Sequence, residues 1–266
     1  MFGFRLGHVG GFDKRFRTLK MQSNQKESDP QPMVMRCLHP DAILSTFQNM
    51  HLEQHHPMFI TFEGLDFSGK STQVGLFADA LSRSGAKTLV LRDPGGTAIG
   101  EKIRAVLLDR ELVDMSDFTE LFLFSASRSQ LVQEVIKPAL EHGTIVVCDR
   151  FYDSTTAYQG WGRRLSLEAI KAVNQVAADG LVPAITYFID IPVPEIELRM
   201  MRQNAGADRM EMSGRAFYER VQEGFLQLAK EEPRFEVIDG RMSIEEIRQK
   251  VWARFQQELT NRIKSV

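Results

Sequence analysis

From residue 58 onward, short apolar runs alternate with longer stretches of helical period. The runs lie at 58–63, 87–91, 144–149, 185–190 and 235–238. They are apolar almost throughout rather than on every second residue, the pattern of strands buried on both faces of a parallel sheet. Between them, over about 70–85, 98–110, 116–141, 166–179, 194–204, 213–231 and 242–263, apolar positions recur at helical spacing. Gly85, Gly143 and Gly180 fall where helices should stop, and Pro183 and Pro192 bracket the fourth run. Alternation of this kind predicts a doubly wound α/β fold: a five-stranded parallel sheet with helices on both faces. One domain, 58–266, holds the whole pattern.

Residues 1–57 break it. They carry five of the six histidines (His8, His39, His51, His55, His56) and four of the ten prolines. Their periodicity is weak apart from a short helix expected at 41–50. Early basic residues (Arg5, Lys14, Arg15, Arg17, Lys20) hint at an organelle transit peptide, but serine is scarce and no amphipathic stripe is clear. A continuous apolar core of a secretory signal is missing too. The expectation is a disordered N-terminal extension, or upstream sequence read from an early start codon. His55-His56 has no ligand spacing for a built metal site.

Composition narrows the function. The net charge is -2, so bulk electrostatics do not point to nucleic acid. Two cysteines, Cys37 and Cys148, make neither a disulfide framework nor a zinc site, which suits a reducing compartment; a cytoplasmic protein is expected. No apolar run reaches membrane-spanning length.

The first run hands over to Gly64-Leu65-Asp66-Phe67-Ser68-Gly69-Lys70-Ser71-Thr72. Gly64 to Ser71 fits the phosphate-binding loop G-x-x-x-x-G-K-[ST], with a strand before it and a helix after it. Its backbone N–H groups and the helix N-terminus form an anion cradle. Lys70 is placed to reach the terminal phosphates of a nucleotide, and the Ser71 hydroxyl to ligate Mg²⁺. The fold class therefore sharpens to a P-loop NTPase.

Further chemistry sits at the ends of the other strands, where ligands gather in parallel sheets. The second ends in Arg92-Asp93-Pro94-Gly95-Gly96-Thr97, an arginine suited to a phosphate beside glycines that admit a close ligand; the same residues also read as a plain turn. Asp93 to Gly96 matches the loose D-x-x-G of GTPases, but no guanine-reading [NT]-K-x-D follows. The third ends in Asp149-Arg150, with Asp149 at the position that faces Mg²⁺ or its water shell in P-loop proteins. Phe124 and Arg128, four residues apart, share a helix face and either stack on and read a base or belong to the core. Arg199, Arg202 and Arg209 flank a glycine-containing stretch, giving a lid over about 199–213 or a solvated face.

Taken in order, Phe62-Glu63-Gly64-Leu65-Asp66, Gly69-Lys70-Ser71-Thr72, Arg92-Asp93-Pro94-Gly95-Gly96-Thr97, Ala126-Ser127-Arg128, Asp149-Arg150-Phe151, Ala157-Tyr158-Gln159-Gly160 and Asp208-Arg209-x-Glu211 resemble the bacterial thymidylate kinase family over about 58–262. The resemblance implies a P-loop nucleoside-monophosphate-kinase fold, a homodimer, and transfer of the ATP γ-phosphoryl group to dTMP with Mg²⁺, giving dTDP for dTTP synthesis. It implies ATP on the P-loop and Mg²⁺ at Ser71 and Asp149, with no nucleic acid or membrane as partner. It places Asp66 near the dTMP sugar and phosphate, and Arg92, Arg104 and Arg150 on that phosphate beside Pro94. Phe124 would stack on thymine and Arg128 read its carbonyl edge, with Ser154, Thr155, Tyr158 and Gln159 completing the pocket. Arg209 and Arg202 would close on the ATP phosphates, leaving Lys70, Arg150, Arg209 and Asp66 as the catalytic set.

Two departures stand out: Asp93 where the family has Glu, and bulky Phe67 in the P-loop where Gly is common. Phe67 carries no charge, so the resemblance assigns the missing cation to the lid. Other readings stay open: a kinase for dUMP, another deoxynucleotide or a deoxynucleoside, the last with Glu63 as an available base, or a nucleic-acid-dependent ATPase.

Overall fold

The computed structural model describes residues 57–203 and 209–264. The readings made of 1–56, and the lid tip at 204–208, lie outside the described residues. Five strands form: β1 (Met58–Glu63), β2 (Thr88–Arg92), β3 (Ile145–Asp149), β4 (Ile185–Asp190) and β5 (Phe235–Asp239). All neighbours pair in parallel, in the order β2-β3-β1-β4-β5. β1 is central, buried along its whole length, and its chain leaves toward one side while β4 lies on the other. Its carboxyl end is thus a switch point, where a doubly wound sheet opens a crevice. The register sets Phe62 opposite Asp149, and Asp149 opposite Arg92, so the P-loop, Asp149 and the β2 terminus share one rim.

Successive strand side chains point to opposite faces, and each face meets helices. Met58, Ile60 and Phe62 join Val74, Phe77 and Leu81 of α1 (Lys70–Arg83) and Trp252, Phe255 and Leu259 of α9 (Ile244–Lys264). On the other face Phe59, Val146 and Cys148 pack against Leu131 of α3 (Asp117–Leu131). Phe188 packs with Phe217, Val221 and Phe225 of α8 (Arg215–Glu231). Cys148 is buried and free. No helix among the described residues is long and apolar enough to cross a membrane.

Side-chain caps start several helices. Thr97, Ser116 and Ser166 accept backbone N–H groups at the starts of α2 (Ala98–Leu108), α3 and α6 (Leu167–Ala177). α1 has no such cap: its N-cap is Gly69, and its first N–H groups receive no side-chain acceptor.

Two stretches depart from the sequence pattern. The helix expected over 116–141 is interrupted by a wider π turn, Val132–Ile136, before α4 (Lys137–Glu141). Pro138 enters that last segment; lacking an N–H, it suits a place where the ordinary hydrogen-bond ladder is already broken. The second was not expected as a helix at all. After β3, α5 (Tyr152–Thr155) runs into a π turn, Thr156–Gly162. An i→i+5 winding erases the 3.6-residue apolar rhythm by which helices are read, and Gly160 and Gly162 lower its propensity. That segment carries Tyr158 and Gln159. The lid region also differs: α7 (Val193–Gln203) ends before the tip, and a short 3₁₀ turn, Glu211–Ser213, precedes α8.

Candidate active site

The donor side is built mainly from backbone. β1 stops at Glu63 and the chain wraps through Gly64 (φ 139°), Phe67 (φ 62°) and Gly69 (φ 95°) into α1. A Cβ on Gly64 would sit 2.5 Å from the Ile189 carbonyl oxygen, so only glycine fits. Around an added Cβ on Gly69 there is open space, on the side where the uncapped α1 amides begin. Asp66, Phe67, Gly69, Lys70, Ser71 and Thr72 line a cleft of about 430 Å³ together with Arg92, Asp93, Arg104, Asp149 and Arg150. Leu65 is buried beneath it, and Ser68 is buried with its hydroxyl unpartnered.

Lys70 lies against this cradle, its Nζ donating to the Leu65 carbonyl at 2.7 Å. Burial, and then the charge of Arg150, lower its pKa to about 8. Ser71 Oγ donates to Asp149 Oδ2 at 2.6 Å. A hydroxyl and a carboxylate held together are hard oxygen donors, which fit Mg²⁺. Asp93 supplies a further buried carboxylate oxygen, Oδ1, with no partner. No cluster of three or more His, Cys, Asp or Glu side chains suited to a metal exists among the described residues. That leaves substrate oxygens to complete a Mg²⁺ shell, the usual arrangement at nucleotide sites. Phe67 holds its left-handed backbone with help from outside the loop. Arg199, on α7, donates to the Phe67 carbonyl (3.2 Å) and the Gly240 carbonyl (3.2 Å).

The acceptor side is built from side chains. A smaller hollow, about 100 Å³, is lined by Asp66, Asp93, Pro94, Arg104, Phe124, Arg128, Arg150, Ser154, Thr155, Tyr158 and Gln159, with Leu108, Phe151 and Met210. Of the residues expected to hold the acceptor, only Arg92 is absent from this wall. It lines the donor cleft instead and pairs with Glu101 at 2.8 Å. Arg104 donates to the carbonyl of Pro94, whose bond to Asp93 is cis.

The two hollows meet at Asp66, Asp93, Arg104 and Arg150. Arg150 is the centre of that wall. Its backbone is left-handed (φ 71°), which turns the chain sharply after β3. Its guanidinium reaches Asp66 Oδ1 (2.6 Å), the Gly64 carbonyl (2.8 Å) and Ser154 Oγ (3.1 Å), and lies over the Tyr158 ring. Burial works against the Asp66 charge, but Arg150 and then Lys70 hold its pKa below the ordinary value. Tyr158 donates to Asp66 Oδ2 at 3.1 Å, and burial raises its pKa, so it remains a phenol.

Arg128 is 1 % exposed and fully engaged. It donates to Asp93 Oδ2 (2.6 Å), Thr155 Oγ1 (2.8 Å) and Asn174 Oδ1 (3.2 Å). The shorter acid at position 93 therefore still meets an arginine. Burial raises the Asp93 pKa, with Arg128 opposing it.

The sequence reading passed over Glu120 and Arg163. Glu120 is buried and accepts from Gln159 Nε2 (2.8 Å), Arg163 (3.1 Å) and Arg209 (2.7 Å). Burial opposes its charge, but Arg163 first, and then Gln159 and Arg209, hold its pKa below normal. A signal was present: Glu120, Phe124 and Arg128 stand four apart on one face of α3. Arg209 is itself buried, donating also to the Leu107 carbonyl at 2.9 Å, and it lines neither hollow. Arg202 is exposed at the end of α7 and lines neither.

The comparisons with known proteins agree with this geometry. The family model described as thymidylate kinase matches residues 62–251. The thymidylate kinase of Kosmotoga olearia is 47 % identical over 199 residues, covering 74 % of this chain and 95 % of its own. That of Caldanaerobacter subterraneus is 49 % identical over 187 residues, covering 70 % and 88 %. A crystal structure of thymidylate kinase from Ehrlichia chaffeensis superposes with a TM-score of 0.61 at 35 % identity, covering 75 % of this chain and 98 % of that one. With a P-loop cleft joined to a side-chain-lined pocket, and a family match over most of its length, the chain belongs to the thymidylate kinase family.

Proposed function

We propose that the protein transfers the γ-phosphoryl group of ATP to dTMP, with Mg²⁺, and releases dTDP and ADP. One observation carries the reading: a phosphate cradle and a base-sized pocket share a cationic wall at Arg150 and Arg104. ATP lies on Gly64–Thr72, with Lys70 on its phosphates. Ser71 and Asp149 hold Mg²⁺, which neutralises charge on the transferring group. Pro94, Phe124, Arg128, Thr155, Tyr158 and Gln159 hold the nucleoside, while Arg92, Arg104, Arg150 and Ser154 hold its phosphate.

The acceptor needs no general base. A phosphate monoester has a second pKa near ~6 and is already ionised at neutral pH. What remains is to hold two polyanions in line against their repulsion, which is positioning and charge neutralisation. No histidine lines either hollow, as this chemistry allows. Arg202 and Arg209 are assigned to the donor phosphates through the lid at 199–213; for Arg209 that requires exchanging Glu120 for phosphate.

The protein is further read as a cytoplasmic homodimer. An apolar groove lined by Phe122, Ser125, Ala126, Ser129, Ala172, Val173, Val176 and Ala177 on α3 and α6 supports a second copy as its occupant. The test of function is ADP release from ATP·Mg²⁺ with dTMP, dUMP, dCMP, dGMP and thymidine in turn. Preference for dTMP is expected. Equal use of thymidine, or DNA-stimulated hydrolysis without a monophosphate, would overturn it.

A further inference from the structure

Glu63 is the last residue of β1, and no role in the proposed reaction has been given to it. It is 0 % exposed and lines neither hollow, so it does not face a substrate hydroxyl as a base would. Both of its carboxylate oxygens are used. Oε1 accepts the Phe151 N–H at 2.7 Å and Oε2 accepts the Ser154 hydroxyl at 2.6 Å. These two partners bracket one event in the chain, the left-handed turn at Arg150 that ends β3.

That turn needs support. A non-glycine residue at positive φ is strained and persists only where surrounding contacts hold it. The Arg150 N–H is fixed on one side by the Phe62 carbonyl at 2.9 Å. On the other side, the next N–H in the chain belongs to Phe151, and its acceptor is Glu63. Ser154, oriented by Glu63 Oε2, in turn accepts from the Arg150 guanidinium at 3.1 Å. Glu63 therefore touches Arg150 at both ends through intermediaries: the backbone turn through Phe151, the side chain through Ser154. Gly64, next after Glu63, supplies the carbonyl that receives the same guanidinium.

We infer that Glu63 is a positioning residue which locks the Arg150 turn, so that the guanidinium stays aimed at the junction of the two hollows and the acceptor phosphate is held there. The inference rests on the reading of Arg150 as an acceptor-phosphate ligand. The role depends on reach and on two polar contacts, an acceptor for the Phe151 N–H and a hydrogen bond to the Ser154 hydroxyl, not on negative charge. Gln at this position keeps the reach and one acceptor for the Phe151 N–H. Asp keeps the charge but is one methylene too short to serve Phe151 and Ser154 together.

The test measures steady-state kinetics of wild type, Glu63→Gln, Glu63→Asp and Glu63→Ala, with each substrate varied, and circular dichroism on every variant. Wild-type activity with dTMP tests the underlying reading separately. Glu63→Asp and Glu63→Ala should raise the KM for dTMP at least tenfold while the KM for ATP moves less than threefold. Glu63→Gln should stay within about threefold of wild type for both. If Glu63→Ala fails to fold, the order of Glu63→Asp and Glu63→Gln decides. Asp more active than Gln would mean that the charge is used and would overturn the inference. So would equal KM changes for both substrates, or an unchanged dTMP KM in Glu63→Asp.

Discussion

The two halves of the site are made in different ways. The donor cleft is a contiguous run, Gly64 to Thr72, whose working groups are largely backbone amides held by positive-φ residues. The acceptor pocket draws single side chains from the P-loop, the β2 loop, α2, α3, the β3 turn and the π turn at Thr156–Gly162. A backbone cradle is specified by where glycine is allowed, and tolerates change at many of its side chains. A pocket of side chains depends on each one, and on the carboxylates that aim them: half-buried Asp66 on Arg150, buried Asp93 on Arg128 and buried Glu120 on Gln159. Faults in the two halves should therefore show differently.

The largest expected effect is at the arginines and lysine that face phosphate. Lys70→Ala and Arg150→Ala should each lower turnover by roughly 10²-fold or more, the scale of losing a preorganised charge-stabilising donor, with folding intact by circular dichroism. Near-wild-type turnover in both would break the site assignment.

Next comes the buried pair. Arg128→Ala leaves Asp93 buried without its partner, and removing one member of such a pair costs about 3–5 kcal/mol. Chemical denaturation should show that loss, along with lost dTMP binding and retained ATP binding. Gly64→Ala should do the reverse. Its Cβ would meet the Ile189 carbonyl at 2.5 Å, so ATP binding should fall first, with stability lower by about 1–3 kcal/mol for the strained backbone. If both variants lose the same ligand, the division between the halves fails.

The smallest effect is in pH dependence. The Lys70 pKa lies near 8 in the free protein, lowered from its ordinary value. Its charged form is complete below that pH and is lost above it. The KM for ATP should therefore rise as pH passes through about 8, while Lys70→Arg, charged throughout, should show a flat profile. kcat should change less, because bound phosphate keeps the proton on Lys70. An identical rise in Lys70→Arg would assign the pH dependence to another group.

The same contrast explains what was legible in the sequence. The sheet was readable because its strands are buried on both faces and stay apolar throughout; the five runs at 58–63, 87–91, 144–149, 185–190 and 235–238 match β1 to β5 within a residue at each end. The donor cleft was readable because its residues are consecutive and their spacing carries the chemistry. The acceptor pocket was not readable from pattern. From spacing alone Phe124 and Arg128 fitted the core better than a base-reading face, and the identity of the pocket came from resemblance to a family. The π turn hid Tyr158 and Gln159 because its winding erases helical rhythm. Glu120 went without a role, and Glu63 was read only as an available base, because a buried carboxylate acts through partners, here Gln159, Arg209, Phe151 and Ser154, that lie far off in the chain.

The central claim is that Arg150 holds the acceptor phosphate at the wall the two hollows share. Calorimetric titration of Arg150→Ala with dTMP and with ATP·Mg²⁺, each alone, tests it most directly. dTMP should bind at least tenfold more weakly than to wild type while ATP·Mg²⁺ affinity moves less than threefold, whereas Lys70→Ala should weaken ATP and spare dTMP. An Arg150→Ala protein that keeps wild-type affinity for dTMP, or that loses both ligands equally, would contradict that placement.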